Sequence, residues 1–426
     1  MTRARGGALY PLLLAVPFLV GIAVLKGLTV EIDTFHGSDA RVYHLPTILQ
    51  FSQHVDLEHY PAAQTPLYHL IFAGYGKVAG FELWKLRLLN VVISYGAVLA
   101  LYRLLRRATA LEPVQAFALS LAFALSPYFL GASFTLLTDN LAILFALLAL
   151  ERFDRCRSDG SLAAFAVGAA AMAGAVLTRQ SFLWLAVVAA WAILRAPLRV
   201  GERAAAAGVA ALSLAPMAAL VALWGGLVPP DADPATCGLC TERPGVGRDA
   251  LTLRTVGFTV ALLGIYAAAV HGPRLVRRRA LLPGPRALAA GLATAVLLLA
   301  VSPLEFRPPA PGVAGDAGWL WKVADRLPTV AGSSLVFWVL VPLGAVALVL
   351  LVRRAGLDSL PTAYTGSFLL AALPVALVYQ KYFDPFALLA IALFTRPPDL
   401  RAPPDYAGIA LVCAASIVYA FSFAGS

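Results

Sequence analysis

The stretch 83–107, LWKLRLLNVVISYGAVLALYRLLRR, decides how the rest of the chain is read. No charged residue lies between Arg87 and Arg103, and an apolar run of roughly 20 residues matches the hydrocarbon thickness of a bilayer. The run ends in Arg103, Arg106 and Arg107, the kind of basic cluster that marks a cytoplasmic end. The same pattern recurs near 8–29, 113–132, 137–151, 161–177, 181–194, 204–228, 251–271, 286–304, 334–352, 360–380, 382–395 and 406–424. That predicts about thirteen spans. Those over 137–151, 161–177 and 181–194 are short, and broken or re-entrant helices are tolerated around a wet cavity where their backbone groups find partners.

Composition agrees with that reading. Of 426 residues, 60% are hydrophobic and 13% charged, against about a quarter charged in soluble domains. A soluble enzyme, a disordered chain and a collagen-like chain are all excluded. The chain is read as an all-α polytopic membrane protein forming one integral membrane domain over 1–426.

The net charge of +10 would point to a polyanion in a soluble chain. Here it follows from topology, and no nucleic-acid partner is expected. With the N-terminus in the cytoplasm, RLLRR (103–107), RFDRCR (152–157), Arg195, Arg199, Arg203, RLVRRR (274–279), Arg286, Arg353, Arg354, Arg396 and Arg401 fall on one side. Twenty basic residues then lie inside and twelve outside, with Lys26 inside the first span. The first span lacks a small-residue cleavage pattern, so it reads as a retained helix.

Chemistry is expected on the outer face. The loop 30–82 holds Glu31, Asp33, His36, Asp39, Arg41, Tyr43, His44, His54, Asp56, Glu58, His59 and Tyr60. Its segment 39–53, DARVYHLPTILQFSQ, spaces Val42, Leu45, Ile48 and Leu49 helically and reads as a short surface-lying helix interrupted or restarted at Pro46. Further outer loops span 229–250 and 305–333. In the first of these, Cys237 and Cys240 form an isolated C-x-x-C, compatible with a small disulfide but lacking the second half of a zinc site.

Asp39 stands just outside the membrane beside that surface helix. Two readings fit it: a general base for an acceptor hydroxyl, or a cap on the helix start. Glu31 and Asp33 compete for the same role. The histidines show no H-x-x-x-H or H-E-x-x-H spacing, so no metal site is expected. Asp139, in FTLLTDNLAILF (134–145), is an ionisable residue against a long apolar run, either a site residue or, with Thr138, a helix cap. Arg179 in VLTRQSFLWL (176–185), followed by Gln180, fits a forked hydrogen bond to a phosphate or a snorkelling anchor. Arg87 is a phosphate partner or an interfacial anchor, and Lys381 lies between Tyr379 and Tyr382 at another outer junction. Cations and acids on one lipid-facing surface suit a phosphorylated lipid whose phosphate leaves as the bond breaks.

Five runs carry a resemblance to a known family. They are SDARVYHLP (38–46), AQTPLYHL (63–70), LLTDN (136–140), LTRQSFLW (177–184) and QKYFDPFALL (380–389). In this order they resemble the membrane glycosyltransferases of the C-type fold, and more narrowly the dolichyl-phosphate-glucose-dependent α-1,2-glucosyltransferases of N-glycan precursor assembly. Asp39 is followed by Ala40, where that family has a second carboxylate. The resemblance implies a bundle of about 11–13 transmembrane helices with surface-lying helices in the first outer loop. It implies inverting transfer of a hexose, glucose by preference, from a polyprenyl or dolichyl phosphate to a glycan or lipid-linked oligosaccharide. It favours Asp39 as base and Arg179 and Lys381 as phosphate partners. Asp33, His44, Thr65, Arg87, Asp139, Gln180 and Tyr382 become further substrate-side residues, with no cofactor and no metal.

The rival is a transporter or flippase for a lipid-linked or anionic solute. Many transporters consist of two related halves, and no copy of the acidic first loop recurs in the C-terminal half. The Ala- and Arg-rich composition points to a prokaryotic plasma membrane, or to the endoplasmic reticulum membrane if the chain is eukaryotic, with the site on the extracytoplasmic side.

Overall fold

The computed structural model describes residues 9–29, 39–231, 252–277, 284–308, 315–373, 375 and 378–424. Asp33, Glu31, Cys237 and Cys240 lie outside the described residues. The chain divides into two compact units, Met1–Asp233 with Ala415–Ser426, and Pro234–Ala414.

The first unit is a succession of helices: α1 (Val16–Val24), α2 (Leu45–Gln53), α3 (Leu67–Ala79), α4 (Leu83–Ala108), α5 (Pro113–Leu125), α6 (Pro127–Ser133), α7 (Asp139–Asp159), α8 (Leu162–Thr178), α9 (Leu185–Arg195) and α10 (Val200–Trp224). A π-helical turn, Ala40–His44, leads directly into α2. The α-helix begins at Leu45 and carries Pro46 in its first turn, where proline removes a backbone N–H that has no intrahelical acceptor anyway. A 3-10 turn, Gln180–Trp184, separates α8 from α9.

By length and composition α4 and α10 can each cross a membrane, as can Arg254–Arg277 and Leu335–Ala355 of the second unit. The pair α5 and α6 makes a fifth candidate, bent by 69° at Ser126. Leu9–Val24, Leu162–Thr178, Gln180–Arg195, Pro285–Val301 and Pro403–Tyr419 are apolar but shorter. The apolar stretches read from the sequence thus all contain helix, but several stop short of a full crossing. The bend at Ser126 is one cause of shortening, and the charged tail of α7, ERFDRCRSD, is another departure from a uniform apolar span.

The short α6 ends with backbone carbonyls that lack helical donors, and two buried asparagines supply donors there. Asn90 Nδ2 donates to the carbonyls of Ala132 and Thr135, each at 2.7 Å. Asn140 Nδ2 donates to Ser94 Oγ at 2.8 Å, Ser133 Oγ at 3.0 Å and the Phe129 carbonyl at 3.1 Å. Both asparagines are fully buried. The turn that delivers Thr138 and Asp139 to the start of α7 is therefore fixed by side chains of α4 and α7.

The second unit contains α11 (Arg254–Arg277), α12 (Pro285–Val301), α13 (Trp319–Asp325), α14 (Leu335–Ala355), α15 (Leu360–Ala372) and α16 (Asp384–Phe394), and the last helix is α17 (Ala407–Ala424). A two-stranded hairpin, β1 (Thr329–Val330) and β2 (Ser333–Ser334), lies between α13 and α14. Helices α11 and α14 touch at Gly264 and Gly344: a methyl group on Gly344 would overlap the Val260 carbonyl, and one on Gly264 would come within 2.6 Å of the Leu340 carbonyl. Small residues of this kind let membrane helices approach closely.

An ion pair holds the loop 305–333 to α11. Arg254 Nη1 donates to Asp316 Oδ1 at 2.7 Å, and Arg254 Nη2 pairs with Asp316 Oδ2. The Arg307 backbone N–H donates to the same carboxylate at 2.9 Å, and the guanidinium lies 4.8 Å from the Trp321 ring. Asp316→Ala strands a buried cation, so it should destabilise the protein by about 3–5 kcal/mol, read as a lowered unfolding temperature in detergent. The double variant Arg254→Met/Asp316→Leu should be less destabilised than Asp316→Ala alone. Elsewhere in this unit, buried Asp399 pairs with Arg274 and Arg354, two of the basic residues read as cytoplasmic.

Candidate functional site

In the first unit the polar residues singled out by sequence fall largely around one junction, where the first outer loop meets the ends of α7 and α8. Thr65 is fully buried and donates from Oγ1 to the Val176 carbonyl at 2.8 Å. Gln180 Nε2 donates to the Ala63 carbonyl at 2.8 Å. These two bonds tie the run AQTPLYHL to the end of α8 and the 3-10 turn after it.

Arg179 occupies that junction in extended conformation, with φ −151° and ψ 117°. Extended backbone here ends α8 and turns the side chain toward the start of α7. Arg179 Nη1 lies 2.7 Å from Asp139 Oδ2, and the two side chains are 12% and 19% exposed. The same nitrogen donates to Thr138 Oγ1 at 3.4 Å. Thr138 makes no side-chain capping bond to α7, so its hydroxyl serves the arginine rather than the helix start. A pair with this much exposure is reached by solvent.

Asp39 begins the π turn and makes no side-chain capping bond to it. Single π turns often occur at functional sites. The turn ends at His44, whose Nδ1 lies 2.9 Å from His69 Nε2. The rings stack with centroids 5.2 Å apart. His69 is fully buried; burial, and after it the neighbouring His44, holds its ring well below the ordinary histidine range. Tyr68 is also fully buried, its ring 6.0 Å from that of His44, and its hydroxyl has no hydrogen-bond partner among the described residues. Burial, reinforced by the negative charge of Asp139, pushes that hydroxyl well above the usual tyrosine value.

Arg87 is buried on α4, and its Nη1 donates to the Leu28 carbonyl at 2.9 Å. It thus anchors the chain after α1. Lys381 and Tyr382 belong to the second unit. There the Lys381 ammonium lies 5.1 Å from the Tyr382 ring centroid and 5.9 Å from that of Tyr379. The turn that carries them is held by Gln380 and Asp384, both fully buried. Gln380 Nε2 donates to Asp384 Oδ1 at 3.1 Å, and Tyr266 Oη donates to Asp384 Oδ2 at 2.7 Å.

Tyr68 and His69 were present in a run already singled out but were assigned no part. The signal was a lone imidazole inside LYHLIFAGY, where a polar ring among apolar neighbours must find a buried partner. Among the described residues no group of three or more His, Cys, Asp or Glu could hold a metal ion.

A family model described as dolichyl-phosphate-mannose-protein mannosyltransferase matches residues 63–224. That span contains Thr65, His69, Arg87, Asp139, Arg179 and Gln180. No curated protein matches the chain. The crystal structure of ArnT from Cupriavidus metallidurans in the apo state is 16% identical, with 89% of this chain and 76% of that chain covered and a TM-score of 0.38, a weak likeness.

Proposed function

We propose that the chain is a membrane glycosyltransferase of the C-type fold that moves a hexose from a polyprenyl-phosphate carrier to a glycan or lipid-linked acceptor on the extracytoplasmic face. Glucose is the hexose favoured by the local runs quoted above. The observation that carries the reading is the Asp139–Arg179 pair at 2.7 Å, inside the segment that matches a family acting on a lipid-phosphate sugar.

In this mechanism Asp39 takes the proton of the acceptor hydroxyl as its oxygen attacks the anomeric carbon. The bond from that carbon to the phosphate oxygen breaks, its electrons leave with the phosphate, and the configuration inverts. Arg179 compensates the charge that builds on the departing phosphate. His44, Thr65, Arg87, Asp139 and Gln180 shape the substrate side, and Asp33 remains a rival base.

Purified protein in detergent, given a panel of polyprenyl-phospho-hexoses and no gradient, should consume at least one of them. Failure to turn over any member of the panel would sink the proposal and leave transport as the surviving reading.

A further inference from the structure

We propose that Thr65 and Gln180 are positioning residues for Arg179, which they fix against the loop that carries the proposed base through bonds to backbone rather than to substrate. This rests on the glycosyltransferase reading and adds to it what sets the placement of the guanidinium.

Helix α8 ends at Thr178, and the last four carbonyls of a helix have no donor within it. The Arg179 N–H donates to the Ala175 carbonyl at 2.9 Å. The Val176 carbonyl is satisfied from far away, by the Thr65 hydroxyl at 2.8 Å and across 111 positions of sequence. Thr65 is fully buried, and a hydroxyl carries one proton. A proton given to Val176 is not available to a sugar or phosphate oxygen. The second bond runs the other way, from Gln180 Nε2 to the Ala63 carbonyl at 2.8 Å, and both of these residues are buried as well.

The two bonds straddle Arg179. Val176 precedes it by one helical turn and Gln180 follows it directly, while Ala63 and Thr65 belong to one short loop segment. A single bond would act as a pivot. Two bonds, one on each side of the arginine, hold its extended backbone, φ −151° and ψ 117°, against that segment. From there the guanidinium reaches Asp139 Oδ2 at 2.7 Å.

On the loop side, Thr65 leads into α3, whose His69 lies 2.9 Å from His44, the last residue of the turn that Asp39 begins. The proposed base and the phosphate arginine are thus linked through a few buried bonds, and Thr65 and Gln180 make the join. A misplacement of about 1 Å at such a join can cost about 100-fold in rate.

Thr65→Val in the full-length protein keeps the shape of the side chain and removes its hydroxyl. It should lower kcat for hexose transfer by about 10- to 100-fold, with the donor KM within about 3-fold of wild type, because the lost placement matters as the phosphate departs. Thr65→Ser, which keeps the hydroxyl, should recover most of that loss. In an Arg179→Ala background Thr65→Val should cost less than about 2-fold, since the group it would misplace is already gone. Gln180→Leu should behave in the same way, and it takes the place of Thr65→Val in the cycle if the latter fails to accumulate. Losses that multiply in the double variant overturn the inference, as does a loss expressed in the donor KM.

Hydrogen exchange read by mass spectrometry needs no turnover. The Arg179 amide should exchange about 10-fold faster in Thr65→Val than in wild type, the scale of one lost hydrogen bond, and an unchanged rate overturns the inference. Wild-type protein inactive on every phospho-hexose would defeat the glycosyltransferase reading, whereas active wild type with multiplying losses defeats this inference alone.

Discussion

Asp39→Asn reduces hexose transfer by about 10²–10⁴-fold, the usual contribution of a positioned general base, while the amount of protein in the membrane stays unchanged. The substitution keeps the size of the side chain and removes its charge and its ability to take a proton. Stability should be little affected, because the helix after Asp39 is anchored by bonds of its own. Thr47 Oγ1 donates to the Tyr43 carbonyl at 2.7 Å, and Gln50 Nε2 donates to the His59 carbonyl at 2.6 Å. A loss of transfer with loss of protein would indicate a structural carboxylate. Full transfer with normal protein level would move the base to Asp33 or Glu31. The measurement is radiolabelled hexose transfer in membranes, normalised to protein detected by immunoblot.

The helices were legible because a bilayer imposes one rule on every span: an apolar run of fixed length between polar ends. The turn between α6 and α7 was less visible, since it is held by Asn90 on α4 and Asn140 on α7. Their amides look like ordinary polar interruptions of an apolar run until the carbonyls they serve are known. The Asp139–Arg179 pair was half legible. Each residue was conspicuous as a charge beside apolar sequence, but nothing in the spacing indicated that the two ends of α7 and α8 bring them within 2.7 Å. The same holds for Arg254 and Asp316, which are 62 residues apart. Tertiary pairing of buried charges is set by burial rather than by local pattern. His69 was missed for the opposite reason. It is local to a quoted run, but its partner, His44, lies 25 residues away.

Arg179→Ala should lower kcat for hexose transfer by about 10²–10³-fold, the range for removing one preorganised donor from a site where charge develops. The donor KM should change less than kcat, because an interaction that strengthens as the phosphate departs acts mainly on the transition state. Arg179→Lys should recover little of the loss, since an ammonium cannot reproduce a planar fork that bonds a carboxylate and a phosphate at once. The decisive variant is the exchange Asp139→Arg/Arg179→Asp. It restores an ion pair across the same junction but moves the cation from the end of α8 to the start of α7. If Arg179 serves only to hold α7 against α8, the exchanged protein should recover both its unfolding temperature and its transfer rate. If the guanidinium must face the phosphate from α8, stability returns and transfer does not. Asp139→Asn supplies the complementary case: Arg179 keeps its place through Thr138 but loses the carboxylate that orients it, so its cost in kcat should be smaller than that of Arg179→Ala. Equal losses in both single variants, with recovery in the exchange, would reduce the pair to a structural clamp.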